Sequence, residues 1–134
     1  MAKDEGLMGN EKIEEAIAAF LKESNEENLA VALTAIRRRM KEGGQLVVAV
    51  DPSPVSNVQI RMMELPDGRK WVPVFTSFEE QMAGKDKVMS TFLADMGQLF
   101  DMVLQEPSVS GILLNPWNLK LAMNKQVLQI VKGE

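Results

Sequence analysis

The sequence predicts an α+β domain: one mixed β-sheet of about five or six strands with β-hairpins, packed by helices and preceded by an N-terminal helical pair. Three observations carry this prediction. Two amphipathic stretches open the chain, and two short apolar runs, 46–50 and 111–114, have the length and bulk of core strands. Turn residues at 65–69 and 115–118 then fold strands back on themselves, which interrupts the regular alternation of a doubly wound sheet. The 134 residues suit one domain, residues 10–134, behind a frayed tail at 1–9 that holds Gly6 and Gly9.

From the N-terminus, Ile13, Ile17, Phe20 and Leu21 recur at one helical face, with Asn10 placed to cap it. Ser24 and Glu27 have capping-box spacing and start a second helix carrying Leu29, Leu33, Ile36 and Met40. Arg37, Arg38, Arg39 and Lys41 fill its last turn, and Gly43-Gly44 ends it. Residues 46–50 form a buried strand, and Asp51-Pro52-Ser53-Pro54 is a loop. Val58, Ile60 and Met62 alternate with polar residues as a half-buried strand. Leu65-Pro66-Asp67-Gly68-Arg69 turns it into a partner strand at 71–75. Pro73 lacks a donor, which puts that strand at an edge or interrupts it there.

Ser77 and Glu80 repeat the capping-box spacing and open a short helix ending near Met82 and Gly84. A short strand is expected over 87–92. Leu93, Met96, Leu99, Phe100, Val103 and Leu104 then make a helical stripe that Pro107 ends. Residues 111–114 form the second core strand and pair, across the Asn115-Pro116-Trp117-Asn118 turn, with an alternating strand at 119–123. Asn124 caps a last helix bearing Val127, Leu128 and Val131.

Composition removes whole classes of chemistry. The chain has no Cys, no His and no Tyr, so disulfides, thiolate metal sites, Cys nucleophiles and Ser-His-Asp machinery are all excluded. No nucleotide-loop motif and no calcium-loop spacing occurs, so no cofactor and no metal site is expected. The net charge of −4 argues against nucleic-acid binding. The polar start, without an apolar leader core, and the lack of a long apolar run predict a cytoplasmic protein with no membrane partner.

Four segments, taken together, resemble a bacterial family. They are the helix pair entering residues 46–50; Asp67-Gly68 leading to Val72-Pro73-Val74-Phe75-Thr76-Ser77-Phe78-Glu79; the helix before Gly111; and Gly111-Ile112-Leu113-Leu114-Asn115-Pro116-Trp117 with its continuation over 119–123. In that order they are similar to the N-terminal domain of SseB-type proteins, the enhanced serine sensitivity family, over about residues 13–131. Larger members carry a further C-terminal domain, which this sequence does not include, so any activity housed there is not expected of it. The resemblance implies no reaction and no catalytic residues.

Phe75, Thr76, Ser77, Asn115 and Trp117 are the candidate contact residues for a ligand or partner. Backbone N–H groups where the 71–75 strand becomes a helix suit a small anion such as an amino acid, and the Trp117 indole suits stacking. The structural alternative makes Ser77 a cap, Phe75 core and Asn115 a turn residue. Met62, Met63, Met82, Met89, Met96 and Met102 crowd mid-chain, as core filler or as an adaptable binding surface, with Met63 and Met102 the better candidates for exposure. Glu14-Glu15, Glu26-Glu27 and Glu79-Glu80 point about 100° apart on a helix and are surface charge rather than acid–base pairs. The arginine run likewise reads as a solvated helix end. The expected function is therefore a non-enzymatic protein-interaction or regulatory module, self-association included, whose contact surfaces are the edge strand near Pro73 and the methionine-rich middle. The alternative is a binder of a small anionic metabolite at Thr76-Ser77 near Asn115 and Trp117. An enzyme built from Asp, Glu, Lys, Arg, Ser or Thr alone is the third reading.

Overall fold

The computed structural model describes residues 5–51, 59–60, 62–82 and 91–133. Two helices, α1 (Glu11–Lys22) and α2 (Glu26–Lys41), pack together, burying Ile13, Ala16 and Ile17 of the first against Ala32 and Ile36 of the second. Their caps differ from the expected ones. Asn10 sits at the N-cap position of α1 in helical conformation and makes no cap bond. At α2 the cap is Asn25, whose side chain accepts from the Asn28 amide at 2.8 Å, while the Ser24 hydroxyl donates back to the Phe20 carbonyl. Asn25 has the extended backbone a cap requires, so the neighbouring residue takes the role that box spacing suggested for Ser24. Gly43, with φ 80°, makes the left-handed exit from α2.

The sheet runs β5-β1-β4-β6-β7 through its longer strands: β1 (Gln45–Asp51), β4 (Lys70–Phe75), β5 (Thr91–Asp95), β6 (Gly111–Leu114) and β7 (Leu121–Asn124). Two-residue strands, β2 (Gln59–Ile60) and β3 (Met63–Glu64), add to β1 and β4 respectively. Among the described residues only the β4–β6 pair is parallel; the other pairings are antiparallel, which makes the sheet mixed. The hairpin partner of β4 is thus Met63–Glu64, after a break in the alternating stretch; Val58 and Arg61 lie outside the described residues. The Asp67 carboxylate accepts from the Arg69 amide at 2.9 Å in the intervening turn. Of the strand expected over 87–92, residues 91 and 92 lie in β5, which also takes Leu93 from the predicted helical stripe, and 87–90 fall outside the described residues.

Pro73 lies in the central strand and not at an edge; of the two expectations, the interrupted pairing is the one found. The Lys70 and Val74 carbonyls accept from Ser110 and Asn115, so even-numbered positions of β4 direct their polar groups at β6. The missing donor of Pro73 therefore faces the opposite side. There β1 pairs with only Val74 and Phe75, and β3 with only Lys70 and Trp71. Proline occupies the seam between two partial partners, where no ladder bond is lost.

All the longer helices cover one face of the sheet. Leu46, Val48, Val72, Val74, Ile112, Leu114, Leu121 and Met123 meet α1, α2, α4 (Met96–Gln105) and α5 (Lys125–Lys132) in one core that includes Phe100 and Leu128. Burying each such side chain contributes about 1.5–3 kcal/mol. As expected, Asn124 caps α5, accepting from Val127 at 2.9 Å; Asp95 caps α4 in the same way. Gly111 has no substitute. A Cβ there would collide with the Met123 carbonyl and Asn124 of the paired strand.

On the other face Val47 and Phe75 are covered by Leu7. The tail expected through Gly9 is thus ordered in its second half: Glu5–Leu7 form one 3-10 turn and Leu7 is buried. Among the described residues, no helix is long and apolar enough to cross a membrane.

Candidate functional site

Because β4 and β6 are parallel neighbours, their carboxyl ends emerge side by side, and the two candidate motifs meet there. The Thr76 amide donates to Asn115 Oδ1 at 2.9 Å, and Asn115 Nδ2 donates to Thr76 Oγ1 at 3.1 Å. The Asn115 amide extends the ladder with a 2.8 Å bond to the Val74 carbonyl. Asn115 needs φ 49° to bring its side chain back over the strand, a conformation that asparagine tolerates better than most residues.

Three residues to which local pattern assigns other roles complete the cluster: Asn10, expected as a helix cap, and Glu14 and Arg39, expected as solvated surface charge. Thr76 Oγ1 donates to Glu14 Oε2 at 2.5 Å. Asn10 Nδ2 donates to the Thr76 carbonyl at 3.0 Å and to the Gln45 carbonyl at 2.9 Å. Asn10 Oδ1 accepts from Arg39 Nε at 3.0 Å, and the same guanidinium donates to the Gly6 carbonyl and pairs with Glu42. Asn10, Thr76 and Asn115 are all buried. The network ties the start of α1, the end of α2, and strands β1, β4 and β6 at one end of the sheet. It also divides the arginine run: Arg37 and Arg38 are exposed, whereas Arg39 is an internal tie.

Phe75 is core, 3% exposed, against Val47 and Leu7. Ser77 Oγ accepts from the Glu80 amide at 3.2 Å and caps α3 (Phe78–Met82). The other half of the predicted box is absent. Glu80 instead turns its buried carboxylate to Asn118 Nδ2 at 2.7 Å and to the Leu119 amide at 3.2 Å. This clamps α3 onto the turn after β6. The Thr76 amide and the Thr76 and Ser77 hydroxyls thus have protein partners. The first turn of α3 also carries the carboxylates of Glu79 and Glu80, the wrong sign for an anion.

The two segments that Glu80 joins also carry exposed apolar side chains. Trp117 is 40% exposed, Phe78 38% and Met82 71%. Of the mid-chain methionines, Met62, Met82 and Met102 are exposed, Met63 is half-buried and Met96 is core; Met89 lies outside the described residues. Exposure therefore belongs to Met62 and Met82 besides Met102, and less to Met63. Among the described residues no three acidic side chains converge as a metal site would require.

The family model for the SseB protein N-terminal domain matches residues 13–129. The chain belongs to that family. The match takes in both motifs of the polar cluster and the Glu14 carboxylate that binds Thr76, while Asn10 precedes it. No curated protein and no solved structure matches this SseB domain.

Proposed function

We propose that this SseB domain is a non-enzymatic protein-interaction module of the cytoplasm, and that its contact face is the end of the sheet bearing Phe78, Met82 and Trp117. The observation that carries the reading is the exposure of these three residues on two segments that Glu80 clamps together. Solvent-exposed aromatic and methionine side chains on a fixed base are the usual anchors of protein contacts. The polar groups beneath them bond to one another, which suits a rigid support better than a reaction centre. The lack of His, Cys and Tyr leaves few groups to run general acid–base or nucleophilic chemistry. The edge-strand contact inferred from Pro73 drops out, since β4 is central.

The test is site-specific photo-crosslinking of the full chain in its host cell. A benzophenone side chain replaces Trp117, Met82 or, as control, the exposed Val31. Discrete protein adducts from positions 117 and 82, absent from 31, are expected. Identical adducts from all three, or none, overturn the reading. A rise in melting temperature with millimolar amino acids or nucleotides would instead favour the metabolite-binding alternative.

A further inference from the structure

We infer that β5 is a self-association edge: two copies of this chain pair their β5 strands antiparallel, with Leu93 on the two-fold axis, into one continuous sheet. Along β4 the odd-numbered positions bond towards β1, and there Phe75 opposes Val47. Val47 is therefore bonded to β4, while its neighbours Leu46 and Val48 bond Ala94 and Phe92 of β5. The Met96 amide keeps that phase by donating to the Gly44 carbonyl at 2.9 Å. Thr91, Leu93 and Asp95 consequently direct their N–H and C=O groups away from β1, where no strand among the described residues meets them. Beyond Asp95 the chain leaves this edge, since α4 turns inward onto α2, α5 and β6.

Sheet edges are ordinarily closed to other chains by lysine, proline, a bulge or brevity. The opposite edge, β7, is closed in this way. It has four residues between Lys120 and Lys125, the Lys120 amide bonds the Asn118 carbonyl, and the Asn124 side chain caps α5. β5 reads Thr-Phe-Leu-Ala-Asp, holds neither lysine nor proline, and pairs with β1 through five unbroken positions. The occupant this strand fits is itself. In the register that uses its whole length, Leu93 opposes Leu93 of the second copy and Thr91 opposes its Asp95. The Asp95 carboxylate accepts from the Gln98 amide on Oδ2, which leaves Oδ1 for the threonine hydroxyl. On the helix-covered face Phe92, 38% exposed, lies opposite the small Ala94 of the second copy. Every side chain thus meets a complement and no like charges are opposed, as a self-complementary contact requires. The edge is built from other segments than those bearing Phe78, Met82 and Trp117, so it stands independently of that face.

The chain holds no cysteine, so single cysteines report this geometry without background. Hydrogen-bonded opposed residues lie about 5.5 Å apart at Cα, within the span of about 4.4–6.8 Å that a disulfide bridges. Leu93→Cys in the full chain is expected to give a disulfide-linked dimer on mild oxidation. Thr91→Cys is the control on the same strand, because the two copies of position 91 lie about 14 Å apart and out of reach. Sedimentation of the unaltered chain should show a reversible dimer at micromolar concentration. Thr91→Pro removes an outward N–H at the first position of the strand, where proline is tolerated, and should weaken the dimer about tenfold with the circular dichroism unchanged. A monomer throughout, cross-linking at position 91 equal to that at 93, or a dimer of folded Leu93→Cys that does not cross-link overturns the inference. Loss of fold in Leu93→Cys passes the decision to Thr91→Pro, whose undiminished dimer overturns it.

Discussion

Replacing Thr76 by valine tests whether the polar cluster is a structural tie. Valine keeps the shape and deletes the hydroxyl, so no cavity opens and the loss is electrostatic. Asn115 Nδ2 loses its hydrogen-bond acceptor inside the protein, and an orphaned buried donor costs about 1–3 kcal/mol. The Glu14 carboxylate loses a charge-assisted bond, worth about 1.5–3 kcal/mol when fully buried and less here, because Glu14 is half-exposed. The expected destabilisation is about 3 kcal/mol. With an m-value of about 1.5 kcal/mol/M, the urea midpoint falls by about 2 M with its slope unchanged. Thr76→Ser keeps both bonds and loses one buried methyl, costing about 1 kcal/mol. Combining Thr76→Val with Glu14→Ala should give less than the sum of the two, with a coupling of about 1–2 kcal/mol. A midpoint shift for Thr76→Val below about 0.3 M, or strict additivity with Glu14→Ala, would refute the argument.

Gly111→Ala should cost more than about 3 kcal/mol or prevent folding, read by circular dichroism and urea titration, because its Cβ has no space against Met123 and Asn124. Asn25→Ala should cost about 1 kcal/mol and Ser24→Ala less than about 0.5, since only Asn25 caps α2; equal costs would contradict the assignment. The Glu106 carboxyl should titrate below 4.5, chiefly because the Ser108 hydroxyl and then its amide donate to it, with Lys125 adding a smaller pull. Its pKa is depressed on folding, so its contribution to stability is present above about pH 4.5 and fades as pH falls through the lowered value. Ser108→Ala should move the NMR-detected pKa back towards the ordinary glutamate value.

Short-range physics was legible in the sequence. The spacing of Ile13 and Ile17, the run at 46–50, the turn at Asp67-Gly68 and the Asn124 cap are set by residues within a few positions of one another, and all appear in the structure. What the sequence hid depends on distant partners. Pro73 leaves an edge and an interruption both open, and the choice between them depends on two half-length pairings, from β1 and β3, that come from separate segments. Asn10 had the residue type and place of a cap, and nothing nearby indicates a bond to a carbonyl 66 residues further on. Leu93 belongs to a helical stripe by period and to β5 by its pairing with Val47. At the candidate site, the strand ends single out Thr76 and Asn115, and the structure joins them. Glu14 reads as surface charge in the sequence because its partner, Thr76, is 62 positions away.

The span of that tie constrains how the molecule is made. Asn10 awaits Thr76, and the Thr76 amide awaits Asn115, 39 positions later. At about 5–20 residues per second, a ribosome delivers the last of these roughly 5–20 s after the first. For the later part of that interval the opening helices have no sheet to pack against, and the Asn10 amide bonds water in place of the Thr76 carbonyl. Maturation of the nascent chain is therefore a late, all-at-once event, and holdase chaperones have their longest opportunity on the first third of the polypeptide.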